Sequence, residues 1–238
     1  MAIYQNTPPI VTNGLVLHLD AGSRMSYTSD STTWSDLSGN GNTGTLTNGP
    51  TFNSANQGSI AFDAIDDKVT MAAGSSFAYG TGDFSVEGWF YQTSVASSYG
   101  DRIWCQSVFG TNYFIIQGGT DVASNSQPQI VFTFATSGGG TGVTSPTAYA
   151  LNQWNHFCVS RISNVVSIYM NGVFGISAAC AQDFSNITYV PIIGQLTHSN
   201  SNGFHGRIAL IRVYKGIGLT AAQVAQNYNA LKSRFGLT

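Results

Sequence analysis

"VVSIYMNGVFGISA", residues 165–178, holds two short apolar runs on either side of Asn171-Gly172. Asn and Gly both tolerate positive φ, which the type I′ turn of a tight hairpin requires at both central positions. The stretch predicts antiparallel strands over 165–170 and 173–178. The same period of two recurs outward in both directions. Upstream it marks 14–20, 58–63, 68–72, 83–93, 102–109, 112–118, 129–136 and 154–162, and downstream 190–196 and 206–214. Turn-rich segments separate most of these runs. About a dozen short strands at such spacing imply an all-β chain folded as two antiparallel sheets, a sandwich or jelly roll.

A helix is expected only near the end, in "LTAAQVAQNYNALKSRFG" (219–236). Thr220 followed by Gln223 has the spacing of a capping box. Val224, Tyr228, Leu231 and Phe235 recur at helical spacing, with Gln226, Asn229 and Lys232 on the other side, and Gly236 stands where the chain leaves the helix. One apolar stripe of this kind has to lie on a sheet. Residues 1–13 read as an extended arm, because Pro8 and Pro9 remove two backbone donors. Residues 14–238 read as one domain, with the glycine-rich stretch 136–146 as a loop between strands.

The composition excludes several functions. Only 8% of the residues are charged, against roughly 25% in an ordinary globular protein. The surface must therefore rest on Ser, Thr, Asn, Gln and Gly. The three lysines and six arginines are scattered, so nucleic acid and anionic lipid have no electrostatic footprint. No apolar run reaches the ~18 residues of a membrane span. The N-terminus lacks the basic start and apolar core of a signal peptide, so synthesis in a cytoplasm without export is expected. Cys105, Cys158 and Cys180 have no metal-binding spacing and read as small buried hydrophobes.

Hydrolytic chemistry is equally poorly provided for. A glycosidase needs two carboxylates flanking the scissile bond. The chain has a single glutamate, Glu87, and no carboxylate two or four residues beyond it. Glu87 reads as a polar position on the outward face of its strand. His18, His156, His198 and His205 form no HxH or HExxH arrangement, and there is no GxSxG elbow. No enzymatic activity is expected.

"DLSGNGNTGTLTNGP" (36–50) can neither build a core nor do proton chemistry. Its most economical reading is a turn series, with Gly39, Gly41 and Gly44 allowing positive φ and Asn40 and Asn42 closing Asx turns. A calcium cradle is the alternative: the acidic run Asp63, Asp66, Asp67 would supply Asp66 or Asp67 to Asp36, Asn40 and Asn42 if the two loops meet. Sugar binding needs exposed aromatic rings beside amide donors. Trp34, Tyr99 and Trp104 stand near loops and are the candidates, whereas Trp89 and Trp154 alternate within strands and read as core.

Seven segments, "GLVLHLDAG", "WSDLSGNGNTGTLTNGPTF", "GSIAFDAIDDKVTM", "DFSVEGWFY", "WNHFCVSR", "IYMNGV" and "FHGRIALIRVYKGIGLTAAQVAQNYNALKSRFG", occur in that order. Together, across residues 14–236, they resemble the laminin-G-like, concanavalin A-like jelly-roll domains. With its closing helix and no signal peptide, the chain most resembles the versions found in phage virion proteins. The resemblance implies a carbohydrate- or protein-binding jelly roll, often with a structural calcium, and glucanase activity in part of the wider group. Two departures stand out. "GRIALIRVY" carries Ala209 and no carboxylate where members often have acidic residues, and Ala64 stands where relatives commonly have Gly.

The expectation that follows is a non-enzymatic protein of a phage virion surface, a capsid decoration or tail-associated protein. Its partners would be other virion proteins or its own oligomer, held through Ile3, Tyr4, Ile10 and Val11 of the arm, with host glycan as a further ligand. A lectin domain without a structural role is the alternative, and a degenerate glycosidase a remote one.

Overall fold

At Asn171 and Gly172 φ is +49° and +77°, and the hairpin forms as expected. The computed structural model describes residues 9–72, 74–95, 101–108, 112–119, 127–135, 141–185, 190–196 and 203–238. Their strands are β1 (Leu15–Asp20), β2 (Thr33–Trp34), β3 (Gly44–Thr47), β4 (Thr51–Asn53), β5 (Ser59–Asp63), β6 (Lys68–Met71), β7 (Phe84–Gln92) and β8 (Asp101–Val108). Next come β9 (Asn112–Gly118), β10 (Ile130–Ala135), β11 (Thr141–Thr144), β12 (Trp154–Ile162), β13 (Val165–Met170), β14 (Val173–Ala179), β15 (Ile192–Ile193) and β16 (His205–Lys215). Helix α1 (Ala221–Leu231) follows and tightens into a 3-10 turn at Lys232–Phe235.

The first sheet runs β14-β13-β12-β7-β16-β5-β4, and the second runs β11-β10-β9-β8-β15-β6-β3-β2. All pairings are antiparallel. On the edge away from β7, β16 pairs with β5 over its first half and with β1 over its second. The change of partner falls at Ala209, where the register shifts and the Ala209 carbonyl accepts from Ala21 N–H. Between the sheets lies a core of Phe84, Phe90, Phe114, Phe132, Phe157, Ile208 and Val213, among others.

Four short strands lie outside the expected runs, the first being β2, just upstream of the stretch read as turns. Strands β3 and β4 arise in or beside the stretch read as turns, and β11 in the glycine-rich stretch read as a loop. β3, "GTLT", carries one large apolar side chain, too little for a visible period.

The helix supplies a third layer. Thr220 and Gln223 close the capping box, and Gly236 leaves at φ +74°. Val224 is buried against Tyr214 and Leu219, while Phe235 is buried against Trp89 and Trp154 with Tyr228 and Leu231 packed beside them. The central strands β7, β12 and β16 are thus buried on both faces. Their outward residues meet the helix, not water.

The arm was expected to hold a partner through Ile10 and Val11. Instead, Val11 N–H donates to Asn227 Oδ1 (2.8 Å) and Val11 C=O accepts from Tyr214 OH (3.0 Å). Asn227, on α1, and Tyr214, on β16, belong to the chain's own domain, which takes up Val11 because its backbone satisfies buried polar groups there. Gln226 likewise donates to Pro9 C=O, on the far side of Ile10. Ile3 and Tyr4 lie outside the described residues.

Candidate functional site

Glu87 is on the outward face of β7 as read, but fully buried, because α1 covers that face. Its Oε1 accepts from Asn227 Nδ2 (2.9 Å) and Arg212 Nη1 (3.0 Å) and lies 3.3 Å from Tyr214 OH, whose proton goes to Val11 C=O, and Oε2 lies 3.3 Å from His156 Nε2. Strand register assembles the group: Glu87 stands opposite Cys158 on one side and Arg212 on the other. Burial alone would raise the Glu87 pKa, but His156 and Arg212 outweigh it and draw it below the ordinary carboxylate value. His18, opposite Arg212 in β1, is lowered to about 4 by its own burial and then by that cation. A carboxylate without solvent access, already saturated with donors, has no route to a substrate. The cluster fastens the helix to the sheet. The inward turn of Asn227 was missed because an amide interrupts the apolar stripe.

The 36–43 loop is a clasp on β1. The Asp36 carboxylate accepts from the backbone N–H groups of His18 (2.9 Å), Ser38 (2.8 Å) and Asn42 (3.0 Å) and from Ser38 Oγ (2.7 Å). Asn40 and Asn42 donate their amides to the Leu15 and Val16 carbonyls. The expected calcium set is not brought together. β3 pairs with β6 so that Gly44 faces Met71 and Thr47 faces Lys68. The Asp36 loop therefore sits at one end of this ladder and the 63–67 turn at the other, roughly 10 Å apart at the rise of a strand.

Asp66 and Asp67 instead gather with Asp63, their carboxylates within 4.8 Å of one another. Asp67 Oδ2 accepts from Asp63 N–H (3.0 Å) and Asp63 Oδ1 from Ile65 N–H (2.8 Å). Burial, then the charge of Asp63, pushes the Asp67 pKa up to about 6. Three carboxylates supply half of the six or more oxygens that calcium takes. Two of their oxygens are already committed to backbone amides, so the fit to calcium is partial.

Trp34 and Trp104 are fully buried in the inter-sheet core and have no ring face to offer a sugar. Trp34 lies in β2 and Trp104 in β8, and in a sandwich even strands next to loops point side chains inward. Tyr99 lies outside the described residues. Trp89 and Trp154 are buried as read, but beneath the helix. All three cysteines are buried.

Among the described residues the exposed aromatic is Phe174, 52% accessible. It stands on the edge strand β14, just beyond the Asn171-Gly172 turn, and lines a cleft of about 270 Å³ with Asn171, Met170, Ser145, Pro146 and Thr147. At Gly175 a Cβ would stand 3.1 Å from Pro146 Cδ, so the absence of one lets the 145–149 segment close on the strand. Asn171 Oδ1 accepts from His156 N–H (2.8 Å), while its Nδ2 makes no hydrogen bond among the described residues. The cleft has a ring face, an unpaired amide donor and the exposed hydroxyl of Thr147, and none of its lining residues is charged. That is the surface a neutral sugar requires. The hairpin was the most legible element of the sequence, but the exposure of Phe174 was not, since alternation does not show which strand ends a sheet.

Residues 62–225 match the family model of the concanavalin A-like lectin/glucanases superfamily, laminin G type. The chain belongs to this superfamily. Curated proteins yield no match to it. Among solved structures it is similar to domain 4 of an extracellular GH43 arabinanase from Geobacillus stearothermophilus, determined in complex with arabinotriose. That likeness has a TM-score of 0.70 at 17% identity, over 90% of this chain and 98% of the other. The binding domain of Paraclostridial mosquitocidal protein 1 is similar with a TM-score of 0.70 at 15% identity, over 92% of this chain and 52% of that one. The binding domain of botulinum neurotoxin DC, in complex with SialylT, gives 0.65 at 13%, over 92% and 52%. This chain thus spans about half the length of the toxin domains. At such identities the likeness is one of fold.

Two departures from the superfamily's usual residues have a structural counterpart. Ala209 sits at the register shift of β16 and is buried under Phe235, where a carboxylate would be desolvated. Ala64 adopts φ +69°, the left-handed region in which Gly is the less strained residue.

Proposed function

We propose that this chain is a non-enzymatic carbohydrate-binding domain and that it takes a neutral sugar in the cleft at Phe174. The observation that carries this reading is the exposed Phe174 ring beside the unpaired Asn171 amide in an uncharged concavity. A pyranose or furanose ring packs an apolar face on the phenyl group while its hydroxyls meet the Asn171 amide and the exposed hydroxyl of Thr147. The arabinotriose and SialylT complexes of the similar domains support a glycan as the ligand class. The burial of Glu87 supports the non-enzymatic part.

A glycan array, followed by calorimetric titration with arabinotriose and the strongest array ligands, tests the proposal. Phe174→Ala should weaken binding about tenfold or more, the worth of one buried aromatic contact, and lower stability by no more than about 1 kcal/mol through its edge contact with Tyr169. An array without neutral ligands, or a variant that binds as the wild type does, overturns it. A place on a phage virion surface is a separate reading with less support, since Val11, offered there to a partner, is bonded to the chain's own helix and strand.

A further inference from the structure

A second concavity, of about 380 Å³, lies between the 27–32 segment and the turn leading into β4. Its apolar floor is Tyr27 stacked on Phe52, ring centroids 5.5 Å apart. Around that floor stand Ser29, Asp30, Thr32 and Thr51, all exposed. The Tyr27 hydroxyl is committed to Ser31 C=O (2.8 Å). The side chains of the other four make no hydrogen bond or ion pair among the described residues. No cation lines the cleft. Its position follows from the sheet order: β14 forms one edge of the first sheet and β4 the other. Six inter-strand spacings of about 4.8 Å place the two edges roughly 29 Å apart.

We infer that the β4-edge cleft is a second, independent sugar subsite, which binds a neutral sugar through a vicinal diol held by Asp30. An ionised carboxylate accepts two adjacent hydroxyls in short, charge-assisted bonds. The free hydroxyls of Ser29, Thr32 and Thr51 take the remaining sugar oxygens, and the Tyr27–Phe52 floor meets its C–H face. Anionic sugars are disfavoured by the same carboxylate. Two subsites on opposite edges make a single chain able to bridge two glycans, and avidity then exceeds the affinity of either site.

The test uses the full chain and the methyl glycosides of arabinofuranose, galactose, mannose and N-acetylglucosamine as probes. Backbone amide shifts are followed in ¹⁵N-labelled protein, together with aggregation of beads carrying the strongest binder. The expected result is two groups of shifted amides, residues 29–32 with 49–52 and residues 171–175, and cross-linking by wild type. Asp30→Asn, exposed and nearly isosteric, should weaken the first group about tenfold or more, spare the second and abolish cross-linking. Phe174→Ala should do the reverse to the shifts and also abolish cross-linking. Shifts confined to 171–175, or an Asp30→Asn variant that still cross-links, overturn the second subsite and leave the Phe174 cleft standing. Shifts confined to 29–32 and 49–52 uphold the subsite and refute the Phe174 cleft. A panel that shifts neither group refutes both.

Discussion

Replacing Glu87 by Gln removes one charge and almost no volume from a site where both Glu87 and Arg212 are 2% exposed or less. The Arg212 guanidinium, 3.0 Å away, then keeps its charge in a buried place with only a neutral amide opposite. Breaking a buried pair from one side costs on the order of 3–5 kcal/mol, because the uncompensated ion is the expensive species. Arg212→Met should cost about 3 kcal/mol, the lower end of that range, since His156 still faces the Glu87 carboxylate. The double variant removes both ions. It should lie within about 2 kcal/mol of wild type, giving a coupling energy of several kcal/mol in the cycle. Urea melts at pH 7, followed by tryptophan fluorescence, measure all four proteins. Trp89 reports on the cluster, its ring 5.4 Å from His156. The slope with urea should stay constant, so that midpoints alone carry the differences. Glu87 also has a depressed folded-state pKa against an ordinary value of 4.5. Its contribution is therefore complete above about pH 4.5 and is lost as the pH falls through the lower folded value, a limb the Gln variant lacks. Single variants costing below about 1 kcal/mol, or a double variant equal to the sum of the singles, would refute the view that this cluster anchors the helix.

Phe235→Ala should cost about 3–5 kcal/mol, because the ring is buried, stacked on Trp89 at 4.3 Å and tilted against Trp154 at 4.7 Å; a thermal melt close to wild type would show that the third layer is dispensable. Asp67 has a folded pKa of about 6 against an ordinary 3.8. Stability should thus be fully present below about pH 4 and decline as the pH rises to about 6, by about 1 kcal/mol once solvent screening is allowed for. Asp67→Asn should remove that decline, and an unaltered pH profile would refute the burial assigned to this carboxylate. Chelation should leave the Tm of the wild type unchanged; a bound calcium at a hundredfold excess over its Kd would add about 2.7 kcal/mol, which a melt resolves.

Most of the architecture was legible residue by residue. The period of two in 83–93, 154–162 and 206–214 marked the central strands. The Asn171-Gly172 pair marked the hairpin, and Thr220 with Gln223 the start of the helix. These are local signals, set by backbone sterics and by side-chain alternation within one segment. The weaker strands β2, β3, β4 and β11 were not legible, because two to four residues with a single large apolar side chain each carry no period and their pairing is decided by other segments of the chain.

What the sequence by itself determined was an all-β sandwich with one closing helix, poor in charge. Only the tertiary structure decided which residues meet water. Period two says that Glu87 and Trp89 share a face, but not that α1 roofs it. It leaves Trp34 and Trp104 near loops, but not that they fill the core. It puts Phe174 in a strand, but not that β14 ends a sheet. Exposure depends on which layers cover a face and which strand has no neighbour, and both are set by contacts between segments distant in sequence. The candidate binding residues are therefore a product of the assembled sheets: Phe174 at one edge and Asp30 by the other.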